Sequence, residues 1–320
     1  MVYIILLLIN KLLYFFIKSG VNSPDFFLYI VYKNMNLQNQ RVLFMAGFPR
    51  AGSTLLMNIM AQNPIFYPTS TSGVINEFIR VRDNWRSNEI FNSANEKEIY
   101  PRIKTLLKGI LYGFYEKEIM RGIIPIDKNR MWAAHIDLLE EILNTHIKII
   151  YPVRNVIDCS ISFEKVHRKS LANFHSGNED QIKDKTVVGR AENKLQNNAV
   201  LGMSILLFDE LLNRGFNDRI VFIPFDNLIQ YPNESMLYIH KELGIKPFRY
   251  NFDNIKQVTV EYDTIHGYSP DALHAIKEGK IDKNIKTDRS IFPDFFIKDL
   301  EEKYGWIDQI IKDNNILGKL

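Results

Sequence analysis

The sequence contains very little cysteine: Cys159 is its only thiol. A single cysteine has no intramolecular partner, so the class of secreted domains stapled by internal disulfides is excluded. Such a chain is typical of a reducing compartment, and we predict a cytoplasmic location. Cys159 lies in an apolar stretch with helical spacing, which favours core packing over a catalytic thiol.

A strong excess of either charge is also missing. The 320 residues include 40 basic and 37 acidic side chains, which gives a net charge of +3. A general nucleic-acid binder carries a broad basic surface, so we expect no nucleic-acid partner. A local anion site remains possible, because a few arginines in a cleft do not require a high net charge.

A hydrophobic run long enough to cross a membrane is missing as well. Residues 2–17, VYIILLLINKLLYFFI, are interrupted by Asn10 and Lys11 and fall short of the roughly 20 apolar residues that a membrane-spanning helix needs. The run also lacks the basic flank and cleavage site of a signal peptide. We predict that residues 1–34 are an apolar extension outside the fold and that residues 35–320 form a single domain. A membrane anchor at residues 2–17 is the alternative, and membrane association is expected only in that case.

The chain does contain a regular alternation of apolar runs and amphipathic segments. The runs predict buried strands at residues 41–46, 123–127, 147–153 and 219–224. The amphipathic segments predict helices at residues 53–62, 74–85, 97–121, 134–145, 156–165, 193–214, 233–243 and 294–314. PTSTSG and the polar stretch 171–189 are predicted to be loops. This order indicates an α/β fold in three layers, with a mostly parallel sheet and helices on both faces.

The stretch GFPRAGST, residues 47–54, joins the first predicted strand to the first helix. A glycine loop between a strand and a helix directs backbone N–H groups and a helix N-terminus at one point, which makes an anion site. ATP and GTP enzymes place a lysine just before the Ser/Thr of this loop, but here Ser53 stands there and Arg50 lies inside the loop. Such a loop suits a sulfuryl group with one charge better than a triphosphate with its metal.

A second candidate anion site follows the strand IKIIYPV. Arg154 comes directly after this strand, and Ser162 lies eight residues further on in the next helix. An arginine here is suited to bind a phosphate, because its planar fork donates two hydrogen bonds to phosphate oxygens. A structural ion pair with a neighbour such as Asp158 is the alternative.

Together these stretches resemble the sulfotransferase family, which uses 3′-phosphoadenosine 5′-phosphosulfate (PAPS). GFPRAGSTLL resembles the family's 5′-phosphosulfate loop, and KIIYPVRNVIDCSISF resembles its 3′-phosphate motif. IVFIPFDNLIQYPNESMLYIHKELGI resembles a third family segment, and DALHAIKEGKI is weakly similar to the last cofactor-binding loop. The similarity spans residues 41–244 and implies a P-loop-like sulfotransferase fold without a metal.

The resemblance also implies roles for individual residues. The 5′-phosphosulfate would be held by Arg50, Ala51, Gly52, Ser53 and Thr54. The 3′-phosphate would be held by Arg154 and Ser162, and Phe225 falls where the family often has a tyrosine near the adenine. Lys128 in PIDKNR resembles the lysine that touches the transferring sulfuryl group, although a solvated turn residue is the alternative. Fixed cations at the bridging oxygen would stabilise the transition state, and Arg50 and Lys128 are the candidates.

The general base is less clearly indicated. Some relatives have a histidine after the motif lysine, where this chain has Asn129. Others use a glutamate after the loop helix, and Glu77 is the nearest equivalent, with a surface carboxylate as the alternative. His135 is a weaker candidate.

Two other functions compete with PAPS-dependent sulfuryl transfer to a hydroxyl or amine. A nucleotide kinase or NTPase would use the loop as a degenerate phosphate loop and Asp226 to hold Mg²⁺, but it leaves Arg154 and Ser162 without a task. A non-catalytic nucleotide-binding relative would keep the fold and lose transfer. The acceptor, whether carbohydrate, lipid, small molecule or peptide, is not indicated by the sequence.

Overall fold

The computed structural model describes residues 42–170 and 185–318. Its strands are β1 (Leu43–Met45), β2 (Phe66–Thr71), β3 (Ile124–Lys128), β4 (Ile149–Val153) and β5 (Ile220–Pro224). Its helices are α1 (Ser53–Met60), α2 (Val74–Ser87), α3 (Glu89–Asn92), α4 (Glu96–Phe114), α5 (Glu116–Met120), α6 (Ile136–Leu143), α7 (Val156–Lys169), α8 (Val187–Leu195), α9 (Val200–Asn213), α10 (Phe225–Gln230), α11 (Pro232–Glu242) and α12 (Asp294–Asp313). A 3₁₀ helix, Arg130–His135, follows β3.

The strands form one parallel sheet in the order β2-β3-β1-β4-β5. Successive residues of a strand face opposite sides, and both sides are covered here. Leu43 and Met45 belong to a core cluster with side chains of α1 and α11. Phe44, between them, packs against Trp132 on the other side, with ring centres 4.7 Å apart. The predicted three-layer α/β fold is therefore confirmed.

The edge strand β2 corrects the predicted loop at PTSTSG. Its sequence FYPTST has few apolar residues, and its burial alternates along the strand. Among the described residues β2 pairs with β3 alone, so Pro68 and the exposed Thr71 are tolerated at the sheet edge. A strand of this composition lacks the apolar run by which the other four were predicted.

Two predicted helices are each divided in the structure. Residues 97–121 break at Tyr115, whose ring turns into the core and whose hydroxyl donates to Asp127 at 2.5 Å. Residues 193–214 break after Leu195 because α9 packs tightly against the end of α8. A Cβ at Gly202 would lie 2.2 Å from the carbonyl oxygen of Gln196. The helix α8 also begins at Val187, inside the predicted polar loop, with Thr186 as its N-cap.

The predictions for residues 1–34, including the possible anchor at 2–17, lie outside the described residues, as does most of the loop 171–189. Within the described ranges no helix is both long and apolar enough to cross a membrane.

Candidate functional site

The loop after β1 is held close to the end of β4. Gly47 has φ 104°, and a Cβ there would lie 2.4 Å from the carbonyl oxygen of Pro152. Gly52, at φ 83°, is the N-cap of α1, and a Cβ on it would touch the ring of Phe225. The first turn of α1 has no acidic residue, so its free N–H groups and helix dipole favour an anion.

Arg50 adopts a positive φ of 62°, which is uncommon for a residue other than glycine. Its Nε donates to Ser162 Oγ at 3.1 Å, and its Nη1 donates to the carbonyl oxygen of Leu273. Burial lowers the pKa of Arg50. The loop after β1 and the helix after β4 are thus joined through the side chains of two predicted site residues.

Arg154 lies at the end of β4, on the other side of the same loop. Its Nη1 donates to the carbonyl oxygen of Arg50 at 3.1 Å, and its Nη2 donates to Thr287 Oγ1 at 3.1 Å. The predicted alternative, an ion pair with Asp158, is present but long, at 3.9 Å between Nε and Oδ2. The buried Nε has no hydrogen-bond partner within the described part of the chain. This guanidinium therefore retains capacity to bind an anion.

The ring of Phe225 lies between these two elements. The centre of the Arg154 guanidinium is 4.1 Å from the centre of the ring, and the ring edge packs on Gly52. Phe225 remains partly exposed and lines the same cavity as the two arginines. Arg154 covers one face of the ring. Contact between the ring and an adenine stays a prediction.

Lys128 ends β3 and is part of an acid–base cluster that local sequence did not indicate. Its Nζ donates to Glu261 Oε1 at 2.6 Å, and both side chains are about nine-tenths buried, with 8% and 10% exposed. The same oxygen accepts from the backbone N–H and hydroxyl of Thr71 at the end of β2. Lys128 is therefore not the solvated turn residue that was the alternative.

His274 and Asp263 complete this cluster, which we define as Lys128, Glu261, His274 and Asp263. His274 Nε2 lies 3.3 Å from Glu261 Oε2, and its Nδ1 lies 2.6 Å from Asp263 Oδ1. The other oxygen of Asp263 accepts from the backbone N–H groups of Leu273 and His274. The imidazole is thus fixed between two carboxylates.

The pKa values of the cluster are shifted by burial and by its own charges. Burial lowers the pKa of Lys128 and of His274, although the neighbouring carboxylates oppose both shifts. Burial alone would raise the pKa of Glu261, but Lys128, with smaller contributions from His274 and the N–H of Thr71, outweighs it and the pKa is lowered. For Asp263 the burial effect is likewise outweighed, here by the N–H donors of residues 273 and 274, and its pKa is lowered. The carboxylates are therefore charged at neutral pH, and burial favours the neutral form of His274.

One cavity of about 780 Å³ connects the two arginines with this cluster. Of the predicted residues, its wall contains Arg50, Gly52, Ser53, Thr54, Lys128, Arg154, Ser162 and Phe225. Ala51 is fully buried beneath the loop and does not reach the cavity wall. The cavity lies at the carboxyl ends of the strands, where ligands of such folds bind.

Other predicted candidates lie elsewhere. Glu77 is exposed on α2, pairs with Arg80 at 2.9 Å and does not line the cavity. His135 is buried between the carbonyl oxygen of Met131 and Arg82, and burial lowers its pKa. Asp226 is exposed at the start of α10 and is also absent from the wall. None of these three residues lines the cavity wall, although burial raises the pKa of Asp226 and the charge of nearby Arg154 opposes that shift.

Cys159 and Asn129 have structural positions. Cys159 is fully buried, and burial raises the pKa of its thiol to about 12, which suits core packing. Asn129 accepts from the backbone N–H of Met131 and donates to the carbonyl oxygen of Ser72, so it fixes the turn after β3.

Comparison with known proteins gives a family match and several related folds. The model of the sulfotransferase family matches residues 43–249, more than half of the chain. No curated protein is significantly similar to the chain. The sulfotransferase domain of the Synechococcus PCC 7002 olefin synthase is 16% identical, with a TM-score of 0.47, and the alignment covers 84% of this chain and 96% of that one. The sulfotransferase domain from the curacin biosynthetic pathway is 17% identical, with a TM-score of 0.40 and coverage of 83% and 98%. A sulfotransferase from Alicyclobacillus acidocaldarius is 15% identical, with a TM-score of 0.40 and coverage of 67% and 84%.

Proposed function

Since the chain belongs to the sulfotransferase family, we propose that it transfers a sulfuryl group from PAPS to a hydroxyl or amine acceptor. The observation that carries the proposal is the contact between the two anion-binding segments. Arg50 donates to Ser162, and Arg154 donates to the carbonyl oxygen of Arg50, at one end of a single cavity. Two cationic side chains on neighbouring segments of one cavity suit a nucleoside with phosphates at two positions.

The residues present fit such a donor. The amides at the start of α1, with Ser53, Thr54 and Arg50, would hold the 5′-phosphosulfate. Arg154 and Ser162 would hold the 3′-phosphate, and an Arg154 Nε that makes no hydrogen bond within the described residues, only a long ion pair with Asp158, supports this assignment. PAPS supplies an activated sulfuryl group, whose transfer separates negative charge toward the leaving phosphate. Lys128 lines the same cavity, close enough to Arg50 for the two charges to interact, and would stabilise that charge without a metal.

The acid–base cluster contains a residue that could act as the general base and take the proton of the acceptor. We assign this role to His274 in place of Glu77, because His274 lines the cavity and Glu77 does not. The acceptor O–H bond would break as the new S–O bond forms and the S–O bond to the leaving phosphate is lost. The proton would pass to His274 Nε2, where Glu261 at 3.3 Å stabilises the imidazolium. Asp263 acts as a positioning residue that orients the ring.

The first test compares nucleotides by thermal shift. We expect that 3′-phosphoadenosine 5′-phosphate (PAP), the product of the donor, raises the melting temperature without added metal, because binding to the native state stabilises it. A ligand at 100 times its Kd contributes about 2.7 kcal/mol. Stabilisation by ATP with Mg²⁺ and not by PAP would favour the kinase alternative instead. Transfer of radiolabelled sulfate to an acceptor panel then separates an enzyme from a binding relative.

The second test concerns the 3′-phosphate. We expect that Arg154→Ala weakens PAP binding roughly 10- to 100-fold, because hydrogen bonds to charged groups contribute about 1.5–3 kcal/mol. Binding of adenosine 5′-phosphate, which lacks the 3′-phosphate, should change much less. The measurement is titration calorimetry with both nucleotides.

Arg168→Ala is the matched control for Arg154, because it removes one arginine of α7 outside the cavity wall. It should leave both affinities unchanged. If Arg154→Ala weakened both nucleotides equally, or neither, the assignment of Arg154 to the 3′-phosphate would be wrong. The melting temperature of each variant identifies a loss caused by misfolding.

A further inference from the structure

Arg130 is a partly buried cation of the cavity wall that neither anion-binding segment uses. It begins the 3₁₀ helix after β3, two residues beyond Lys128. Asn129 fixes this turn by accepting from the N–H of Met131 at 3.0 Å and donating to the carbonyl oxygen of Ser72 at 2.7 Å. The position from which the Arg130 side chain starts is therefore well defined.

The guanidinium of Arg130 has no hydrogen bond and no ion pair across residues 42–170 and 185–318. Burial lowers its pKa, and Glu261 is the carboxylate that opposes this shift. Yet one oxygen of Glu261 already accepts from Lys128 and Thr71, and the other faces His274. A partly desolvated cation whose nearby carboxylate is engaged elsewhere gains most from an incoming anion.

The sheet order indicates whether the donor or the acceptor would carry that anion. The residues proposed to hold the 5′-phosphosulfate and the 3′-phosphate follow β1 and β4, whereas Arg130 follows β3 on the other side of β1. Adjacent strands lie about 4.8 Å apart, so the ends of β3 and β4 are separated by about 10 Å. Arg130 follows the same strand end as Lys128, and its charge acts on Lys128 and Glu261, so it shares the side of the cavity that holds this cluster, although it also acts on the buried Tyr151 of β4.

We propose that the acceptor carries an oxyanion, a carboxylate or a phosphate or sulfate ester, and that Arg130 binds it while the acceptor hydroxyl faces His274. This inference rests on the proposed function. The planar fork of arginine is suited to such groups because it donates two parallel hydrogen bonds to them. A neutral acceptor of the same shape leaves Arg130 unpaired and is therefore a poorer substrate.

The experiment uses pairs of acceptors in which one member carries an anionic group and the other has a neutral group in its place. The pairs are 4-hydroxybenzoate and 4-hydroxybenzamide, a phenyl glucuronide and the glucoside, a tyrosine peptide with glutamate or glutamine neighbours, and a hexose 6-phosphate and the hexose. We measure kcat/KM for transfer of radiolabelled sulfate from PAPS and thermal shifts of the PAP-loaded protein. Wild type should prefer the anionic member of each pair. Arg130→Gln should lower kcat/KM for the anionic acceptor roughly 10- to 100-fold and have little effect on kcat/KM for the neutral acceptor.

Arg121→Gln is the control, because Arg121 is exposed and lies outside the cavity. This substitution should leave kcat/KM unchanged for both members of each pair. The pair that shows the preference distinguishes a carboxylate from an ester.

Three results would overturn the inference: no preference of wild type for anions in either assay, an equal loss for both members, or loss of PAP affinity in Arg130→Gln. An equal loss would assign Arg130 to the transferring group, and a loss of PAP affinity would assign it to the donor site. Failure of wild type to bind PAP would instead count against the proposed function itself.

Discussion

Replacement of His274 by glutamine is expected to lower kcat by roughly 100- to 10,000-fold, the usual contribution of a positioned base. Glutamine keeps a polar side chain of similar reach but cannot accept the acceptor proton and carry it as a cation. The measurement is the pH dependence of kcat/KM for the acceptor that wild type sulfates most readily. Wild type should show an acidic limb that His274→Gln lacks.

The position of that limb follows from the direction of the shift. Burial lowers the pKa of His274, so the limb should lie below the ordinary histidine value of about 6.5. Activity should fall as the pH drops through this pKa, because protonation removes the base. At neutral pH the imidazole is largely unprotonated and the rate should be insensitive to pH.

Two variants separate catalysis by His274 from a structural role. His146→Gln removes a half-exposed histidine whose ion pairs lie at the surface, so the pH profile should not change. Asp263→Asn leaves the base in place but weakens its orientation, and it should lower kcat while retaining the acidic limb. An acidic limb that persists in His274→Gln would show that another group, such as Glu261, is the base.

The sheet was largely predictable because three of its five strands are continuous apolar runs and a fourth, β3, begins as one. Residues 149–153 and 220–224 are buried throughout, and a run of this kind has few alternatives to a central parallel strand. The edge strand β2 escaped prediction because solvent on one side allows proline and threonine. The helix breaks at Tyr115 and Leu195 depend on contacts with Asp127 and Gly202, which lie beyond the break in each case and are not indicated by the apolar spacing of the helices.

The candidate site likewise combines residues within short sequence motifs with residues that only the fold brings together. Arg50, Gly52, Arg154 and Ser162 were predictable because a strand, a loop and the start of a helix bring each motif together within one short segment. Glu261 is 133 residues from Lys128 in the sequence, and only the fold makes them neighbours. His274 lies in DALHAIKEGKI, but the weak similarity of this stretch to a cofactor-binding loop gives no indication of a general base.

Lys128 should matter to the chemical step more than to binding. We expect Lys128→Ala to lower kcat by roughly 100- to 1,000-fold, about 3–4 kcal/mol in the barrier, as for other groups aimed at developing charge. PAP affinity should change much less, because the charge that Lys128 stabilises develops during transfer. Single-turnover transfer of radiolabelled sulfate, measured beside PAP titration, distinguishes the two effects.

Lys148 offers a matched control, because it donates to Glu242 at 2.6 Å, the same distance as in the Lys128 pair. That pair is more exposed, with 29% and 28% of the side chains accessible, and it lies outside the cavity wall. Lys148→Ala should leave kcat unchanged and cost at most about 1 kcal/mol of stability.

Removal of Lys128 also leaves Glu261 buried without its cation, so some stability is lost and the pKa of Glu261 rises. Lys128→Arg restores a charge to Glu261, which separates this stability effect from catalysis. If Lys128→Arg restored the melting temperature and Lys128→Ala still transferred sulfate at the wild-type rate, Lys128 would be only the structural partner of Glu261.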